Sequence, residues 1–308
     1  MKLYLAPIQG HTDDAYRHFH ARQFADTDIV YTTPFIRLEK GGIRKKDIRE
    51  ALSPLNEGIA VVPQVIFKNY EELSALISLL KAEGIGHIDI NMGCPFPLQT
   101  SRGRGAATIA SEECINAVER VINENDDVRF SVKIRLGMKD DEWMPLISRL
   151  NNLQLKYITV HPRTAKDQYQ PDTLKMESFD KIYAMSSNPL VYNGDIRTPE
   201  DAKMIMEKYP DLYGIMIGRG ALARPSLLTE ISGGEEWDHA KRLEAMKRLH
   251  RSLISYYQEN LIGGEHQILS KILPFWEYAE DEIGRKAWKA IKKASTMAKY
   301  QTALTLIE

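Results

Sequence analysis

Short runs of β-branched and apolar residues recur along the chain, each stopping in polar residues or in Gly and Pro. They are "KLYLAP" (2–7), "IVYTTP" (29–34), "VVPQVIF" (61–67), "HIDINMG" (87–93), "FSVKIRLG" (130–137), "YITVHPR" (157–163), "PLVYNGD" (189–195) and "GIMIGRG" (214–220). Between most of them apolar residues return at i, i+3, i+4 and i+7, the repeat of a helix with one buried face. Such stretches are "NYEELSALISLLKAEG" (69–84), "SEECINAVERVINEN" (111–125), "EWMPLISRLNN" (142–152) and "TPEDAKMIMEKYP" (198–210). In the last, Thr198 suits an N-cap and Pro199 the first helical position, with acids just behind. Eight strands alternating with helices predict an α/β fold, a (β/α)8 TIM barrel. A doubly wound sheet would also alternate, but it wants a Gly-x-Gly-x-x-Gly turn after the first strand, and "APIQGHTDD" has none.

After about residue 232 the pattern changes. "SGGEEWD" (232–238) is a Gly-rich, acidic break, and no strand-like run follows it. "HAKRLEAMKRLHRSLISYYQENL" (239–261) and "EIGRKAWKAIKKASTMAKYQTALTLI" (282–307) read as helices. The expected organisation is a barrel over 1–234 and a small all-helical domain over 235–308.

Composition narrows the class. With 308 residues, 43% hydrophobic and 27% charged, the chain can bury a large core and is not a disordered one. The formal net charge is −1, so a polyanionic partner must be met by a local basic patch. Two cysteines, Cys94 and Cys114, exclude a disulfide scaffold and suit a reducing compartment. The N-terminal apolar run is too short for a signal peptide, and no window reaches a membrane span. A soluble cytoplasmic monomer without a bound metal is expected.

In a barrel of this kind, chemistry gathers at the C-terminal ends of the strands. Those ends carry Pro7 and Gln9, Gln64, Asn91 and Cys94, Lys133 and Arg135, His161 and Arg163, Asn193 and Asp195, and Gly218 and Arg219. Lys133, His161 and Asn193 each interrupt an apolar run. A buried lysine is costly unless it is paired or meets an anion, and three such residues on consecutive strands point to a site. The ends "NGD" and "IGRG" suit a phosphate held by backbone N–H groups, with Arg219 adding a forked contact. The expected ligand is a phosphorylated cofactor, with Lys133 near an electron-rich ring and Gln64 on the ring edge. Cys94 stands in a loop between Gly93 and Pro95, whereas Cys114 lies on an amphipathic helix and reads as structural.

These residues resemble the tRNA-dihydrouridine synthases. The shared stretches are "APIQGHTDDAYR" (6–17), "PQV" (63–65), "DINMGCP" (89–95), "GRGAA" (103–107), "SVKIRLG" (131–137), "HPRT" (161–164), "NGDI" (193–196) and "GRGAL" (218–222), in family order across nearly the whole barrel. The resemblance implies an FMN-dependent enzyme, fed by NADPH, that saturates the C5–C6 double bond of uridine in tRNA. It implies FMN contacts at Pro7, Ile8, Gln64, Lys133, His161, Asn193, Asp195, Gly218 and Arg219, with Gln9 and Gly194 beside them, and a catalytic cysteine at Cys94. A thiol stays protonated at neutral pH and can act as an acid where a carboxyl would be ionised. Two departures stand at the expected mouth: Pro34 where relatives have Glu, and Asp167 where relatives often have Gln.

An RNA-modifying enzyme must also hold phosphates. The last predicted helix carries Arg285, Lys289, Lys292 and Lys293 on a face away from Ile291 and Met297, and Arg102, Arg104 and Lys271 are further cations for the backbone. Asn91, Arg135 and Arg163 are expected to touch the substrate. Three other readings compete. They are an FMN barrel acting on a free pyrimidine or small enone, an RNA-binding homologue that has lost catalysis at Pro34, and a Schiff-base aldolase using Lys133.

Overall fold

The computed structural model describes residues 1–39, 42–139 and 142–307. All eight expected strands form: β1 (Lys2–Leu5), β2 (Ile29–Thr32), β3 (Val61–Val62 and Gln64–Ile66), β4 (His87–Met92), β5 (Arg129–Ile134), β6 (Tyr157–Val160), β7 (Leu190–Tyr192) and β8 (Gly214–Ile217). Every neighbouring pair is parallel, and β8 returns to β1 with Lys2 beside Gly214 and Leu5 beside Ile217. Pro63, lacking an N–H, divides β3 in two. Its first half pairs with β2 and its second with β4, so the barrel closes across the break. Each strand ends short of its predicted run because the polar tail leaves the ladder to build a loop at the mouth.

The helices bury the faces their periodicity predicts. Tyr70–Ala82 turns Leu73, Leu76, Ile77 and Leu80 inward, each worth about 1.5–3 kcal/mol by transfer from water. Pro199–Lys208 opens with the expected Thr198 N-cap, completed by Asp201 into a capping box. At the base of the barrel interior, Tyr4, Tyr157, Val191 and Met216 pack into one small cluster. An antiparallel ribbon, Leu38–Glu39 with Gly42–Ile43, follows β2 and was not foreseen.

Beyond β8 the described residues form helices joined by turns, with no further strand among them. His239–Asn260 forms as expected, but the last predicted helix is three: Glu280–Ile283, Arg285–Lys292 and Met297–Leu304. Gly284, at φ 79°, ends the first of them, and the Thr296 hydroxyl caps the third by accepting from the Lys299 N–H. The helical region docks on the barrel's first loop through His239–Asn260, through Gly264–Ile272 and through the segment that follows it. Lys271 Nζ donates to Asp13 at 2.7 Å, the Tyr257 hydroxyl donates to the same carboxylate, and His11 Nε2 lies 2.8 Å from Glu277. No helix among the described residues is long and apolar enough to cross a membrane.

Candidate functional site

A cavity of about 510 Å³ opens at the C-terminal ends of the strands. Its walls bring together Pro7, Ile8, Gln9, Gln64, Asn91, Cys94, Lys133, Arg135, His161, Asn193, Gly194, Asp195, Gly218 and Arg219 from all parts of the barrel except β2. The loop after β2 adds Pro34, Phe35 and Arg37, and the helical region adds Glu277 and Tyr278. Pro34 closes the run "IVYTTP" and stands at the mouth as expected, but the pattern gives no hint of Phe35, Arg37, Glu277 and Tyr278, which belong to no strand end; Tyr169, also on the wall, lies just past "HPRT".

Asn193 organises one wall. Its Oδ1 accepts from Lys133 Nζ at 2.7 Å and from His161 Nδ1 at 3.4 Å, and its Nδ2 donates to the Met216 carbonyl at 2.7 Å. His161 Nε2 faces Arg163 Nη1 at 3.2 Å. A guanidinium only donates, so the imidazole proton sits on Nδ1. Burial and the surrounding Arg135, Lys133 and Arg163 hold His161 well below its ordinary range, which keeps it neutral. Burial and Arg135 lower Lys133 to about 8. An electron-rich ligand would offset that cost.

Arg135 is 2% exposed, and its Nη2 has no hydrogen-bond partner, while Nη1 donates to the Thr164 carbonyl at 2.9 Å. This orphan donor is closed off from solvent with the Tyr169 ring over its guanidinium, so a ligand acceptor meets it only once that ring shifts. The Tyr169 ring lies between Arg135 and Arg219, with each guanidinium carbon 4.8 Å from its centre.

The ends of β7 and β8 are built for close approach. A Cβ on Gly220 would sit 2.0 Å from the Ile196 carbonyl oxygen, and one on Gly194 would sit 2.6 Å from the Tyr192 hydroxyl. Asp195 is held at φ 27°, rare for a residue with a side chain. It accepts from Arg219 at 2.8 Å and pairs through both carboxylate oxygens with Arg163, which is fully buried. Compact glycine-lined backbone beside Lys133, Arg135 and Arg219 fits a flat, phosphate-bearing group.

Cys94 lies across the cavity, 7% exposed. Its loop is fixed by Asn91, whose Oδ1 accepts from the Gly93 and Cys94 N–H groups at 3.0 and 2.9 Å. Gly93 is required by contact rather than by its φ: a Cβ there would lie 3.0 Å from the Ile134 carbonyl carbon. Gly105, at φ 60°, backs the cysteine so tightly that a Cβ would fall 2.5 Å from the Cys94 oxygen. Burial pushes the thiol up from its ordinary range. Cys114 is buried on Glu112–Glu124, its Sγ donating to the Lys68 carbonyl at 3.2 Å, away from the site.

Several expected substrate contacts are committed elsewhere. Arg163 sits behind His161, its donors spent on Asp195, Thr173 and the Gln170 carbonyl. Arg104 is 5% exposed and locked on Glu72 and the Leu38 carbonyl. Lys271 is half-buried in its ion pair with Asp13. Asn91 lines the cavity, but its amide oxygen serves the Cys94 loop and its Nδ2 donates to Gln64. Each carries a charge or amide whose burial demands a protein partner, which a one-dimensional reading cannot see. Asp167 turns back on its own loop, accepting from the Thr164 N–H and hydroxyl. Arg102, Arg285, Lys289, Lys292 and Lys293 are exposed. Among the described residues no group of three or more His, Cys, Asp or Glu could hold a metal ion.

A model of the dihydrouridine synthase family (Dus) matches residues 4–305. A human tRNA-dihydrouridine(47) synthase-like protein is 28% identical over 256 residues, which cover 80% of this chain and 38% of that protein. A probable tRNA-dihydrouridine synthase of Helicobacter pylori (strain ATCC 700392 / 26695) is 27% identical over 235 residues, 74% of this chain and 69% of its own. The chain thus spans well under half the length of the human relative. Histamine dehydrogenase from Rhizobium sp. 4-9 superposes on 82% of this chain and 49% of its own, with a TM-score of 0.56 at 13% identity, a likeness of fold.

Proposed function

Because the chain belongs to the dihydrouridine synthase family, we propose that it reduces the C5–C6 double bond of a uridine in tRNA, using FMN recharged by NADPH. The observation that carries this reading is the meeting, in one cavity, of the buried Cys94 thiol with the cationic and glycine-lined ends of β5–β8. FMN would lie on Pro7, Ile8, Gln9 and Gln64, with Lys133 and His161 at its ring. Its phosphate would lie at Gly194, Asp195, Gly218 and Arg219. When bound, it supplies the hydride for C6 of the uracil.

The protein supplies the rest. Cys94 keeps its proton at neutral pH because burial disfavours the thiolate, and it gives that proton to C5. The thiolate then regains a proton from solvent. Arg135 Nη2, unpartnered beneath the Tyr169 ring, would donate to a uracil or flavin carbonyl once that ring moves aside. A uridine within a stacked helix cannot reach this depth, so the base must be flipped out or taken from a splayed loop. The enzyme would act in the cytoplasm as a monomer, with 235–308 as the RNA-binding domain. The test is stopped-flow: protein reduced with NADPH under anaerobic conditions should be reoxidised by tRNA lacking dihydrouridine and not by tRNA already modified. Equal rates with both would remove the reading.

Two further results are expected. Arg285–Lys292 presents Lys289 and Lys292 to solvent, with Lys293 just beyond. Changing Lys292 and Lys293 together to Glu should weaken tRNA binding roughly tenfold or more and reduce its salt slope by about one to two. Filter binding across ionic strength measures both, and an unchanged slope would contradict the assignment. Separately, the charge on Lys133 is present below about 8 and lost above it. A ligand that needs this cation should bind evenly from about pH 6 to 7.5, then weaken by up to tenfold per pH unit above 8. Flavin fluorescence titration across pH reads this directly, and flat affinity to about pH 9.5 would free Lys133 from the role.

A further inference from the structure

Asp89 lies beneath the cavity, 1% exposed, in the middle of a continuous hydrogen-bonded line that ends at Cys94. Strand register sets Gln64, Asp89 and Ser131 abreast on β3, β4 and β5. From below, Lys156 Nζ lies 3.4 Å from His87 Nδ1, His87 Nε2 lies 3.1 Å from Ser131 Oγ, and Ser131 donates to Asp89 Oδ1 at 2.6 Å. From above, Gln64 Nε2 donates to Asp89 Oδ2 at 2.7 Å, and Asn91 Nδ2 donates to Gln64 Oε1 at 2.7 Å. Asn91 Oδ1 then accepts from the Gly93 and Cys94 N–H groups.

Both ends of the upper half are chemically one-way. A backbone N–H only donates, and the Asp89 carboxyl accepts at both oxygens, from Ser131 and from Gln64, two contacts that counter the upward push of burial on it. The two amides between them therefore have a single orientation, which neither could choose alone. Resting on the reading above, we propose that Asp89 is a positioning residue for proton delivery: its carboxylate orients the Gln64 amide and, through Asn91, fixes the loop that aims Cys94.

Asp89→Asn tests this sharply. Lys156 can only donate to His87 Nδ1, so His87 Nε2–H donates to Ser131 Oγ, and Ser131 offers its own O–H upward. The new amide must turn its oxygen to Ser131 and its N–H2 to Gln64. Two donors then oppose each other, Gln64 and Asn91 must flip, and the Cys94 N–H loses its acceptor. Adding Ser131→Ala releases the new amide to present its oxygen to Gln64, which restores the line. Rescue by Ser131→Ala is not what lost packing gives, because that change removes a further atom from the same contact and fills no space.

The measurements use FMN-loaded protein in a Cys114→Ser background, so that only Cys94 alkylates. In Asp89→Asn, bleaching of the flavin by NADPH should stay within about threefold of wild type, reoxidation by unmodified tRNA should slow by about tenfold to a hundredfold, and iodoacetamide should alkylate Cys94 several-fold faster. Asp89→Asn with Ser131→Ala should recover at least about threefold of the lost reoxidation rate. Wild-type reoxidation and alkylation in Asp89→Asn, or further loss in the double variant, would overturn the proposal. If the wild type is not reoxidised by tRNA, the functional reading fails and the alkylation rates alone decide the role of Asp89. Should Asp89→Asn not fold, Ser131→Ala decides: it leaves the carboxylate and both amides oriented, so a loss there beyond about tenfold in reoxidation would refute the mechanism.

Discussion

Cys94→Ala is expected to bind FMN within about twofold of wild type, and to be bleached by NADPH at the wild-type rate, while its turnover on tRNA falls by about 10²–10⁴-fold. The substitution removes one sulfur from a loop that other groups hold. Asn91 retains both backbone N–H bonds, and Gly93 and Gly105 retain their close contacts with Ile134 and residue 94. The wall of the cavity proposed to hold the cofactor, built on Lys133, Asn193 and the ends of β7 and β8, is untouched. What disappears is the only proposed acid on the far wall. Neutral His161 is no substitute, because its Nδ1 proton is committed to Asn193 and its other nitrogen faces Arg163. Single-turnover reoxidation with unmodified tRNA checks this, and a rate within threefold of wild type would assign the proton elsewhere.

Asp195→Ala is expected to damage both stability and flavin binding. Arg163 is fully buried and Asp195 is its carboxylate partner. Removing one member of a buried pair leaves the other charge uncompensated, at a cost of about 3–5 kcal/mol. For a chain of this size that lowers Tm by roughly 5–15 °C. Arg219 loses the same anchor, so the cationic side chain beside the proposed phosphate position is freed. Asp195→Asn keeps an acceptor without the charge and should fall between the two. Thermal denaturation with and without FMN separates the effects: the alanine protein should melt low and gain little from the cofactor. A melting point within about 2 °C of wild type would mean that Arg163 is satisfied without Asp195.

The barrel was legible because its signal is local. Alternation of eight apolar runs with amphipathic helices needs no knowledge of contacts, and every run became a strand. The residues that interrupt those runs, Lys133, His161 and Asn193, did converge, since inward polar positions at matching depth in a closed barrel face one cavity. What stayed hidden was how charges are spent. Arg104 and Arg163 look like free cations in one dimension, and only the approach of Glu72 and Asp195 makes them structural. Glu277 and Tyr278 reach the mouth because helices after residue 235 fold back over the first loop, a long-range placement with no local signature. Gly284, at φ 79°, breaks a helix that the helix formers around it would otherwise continue.

The central claim is that Cys94 and a bound flavin face each other across a uridine. Nucleoside mass spectrometry of unmodified tRNA, incubated with the purified protein, FMN and NADPH, tests it most directly. The account predicts that one or a few uridines gain two hydrogens, that omitting FMN from stripped protein abolishes the product, and that Cys94→Ala yields almost none. A tRNA whose uridines all keep their mass while the protein holds FMN and oxidises NADPH would contradict it.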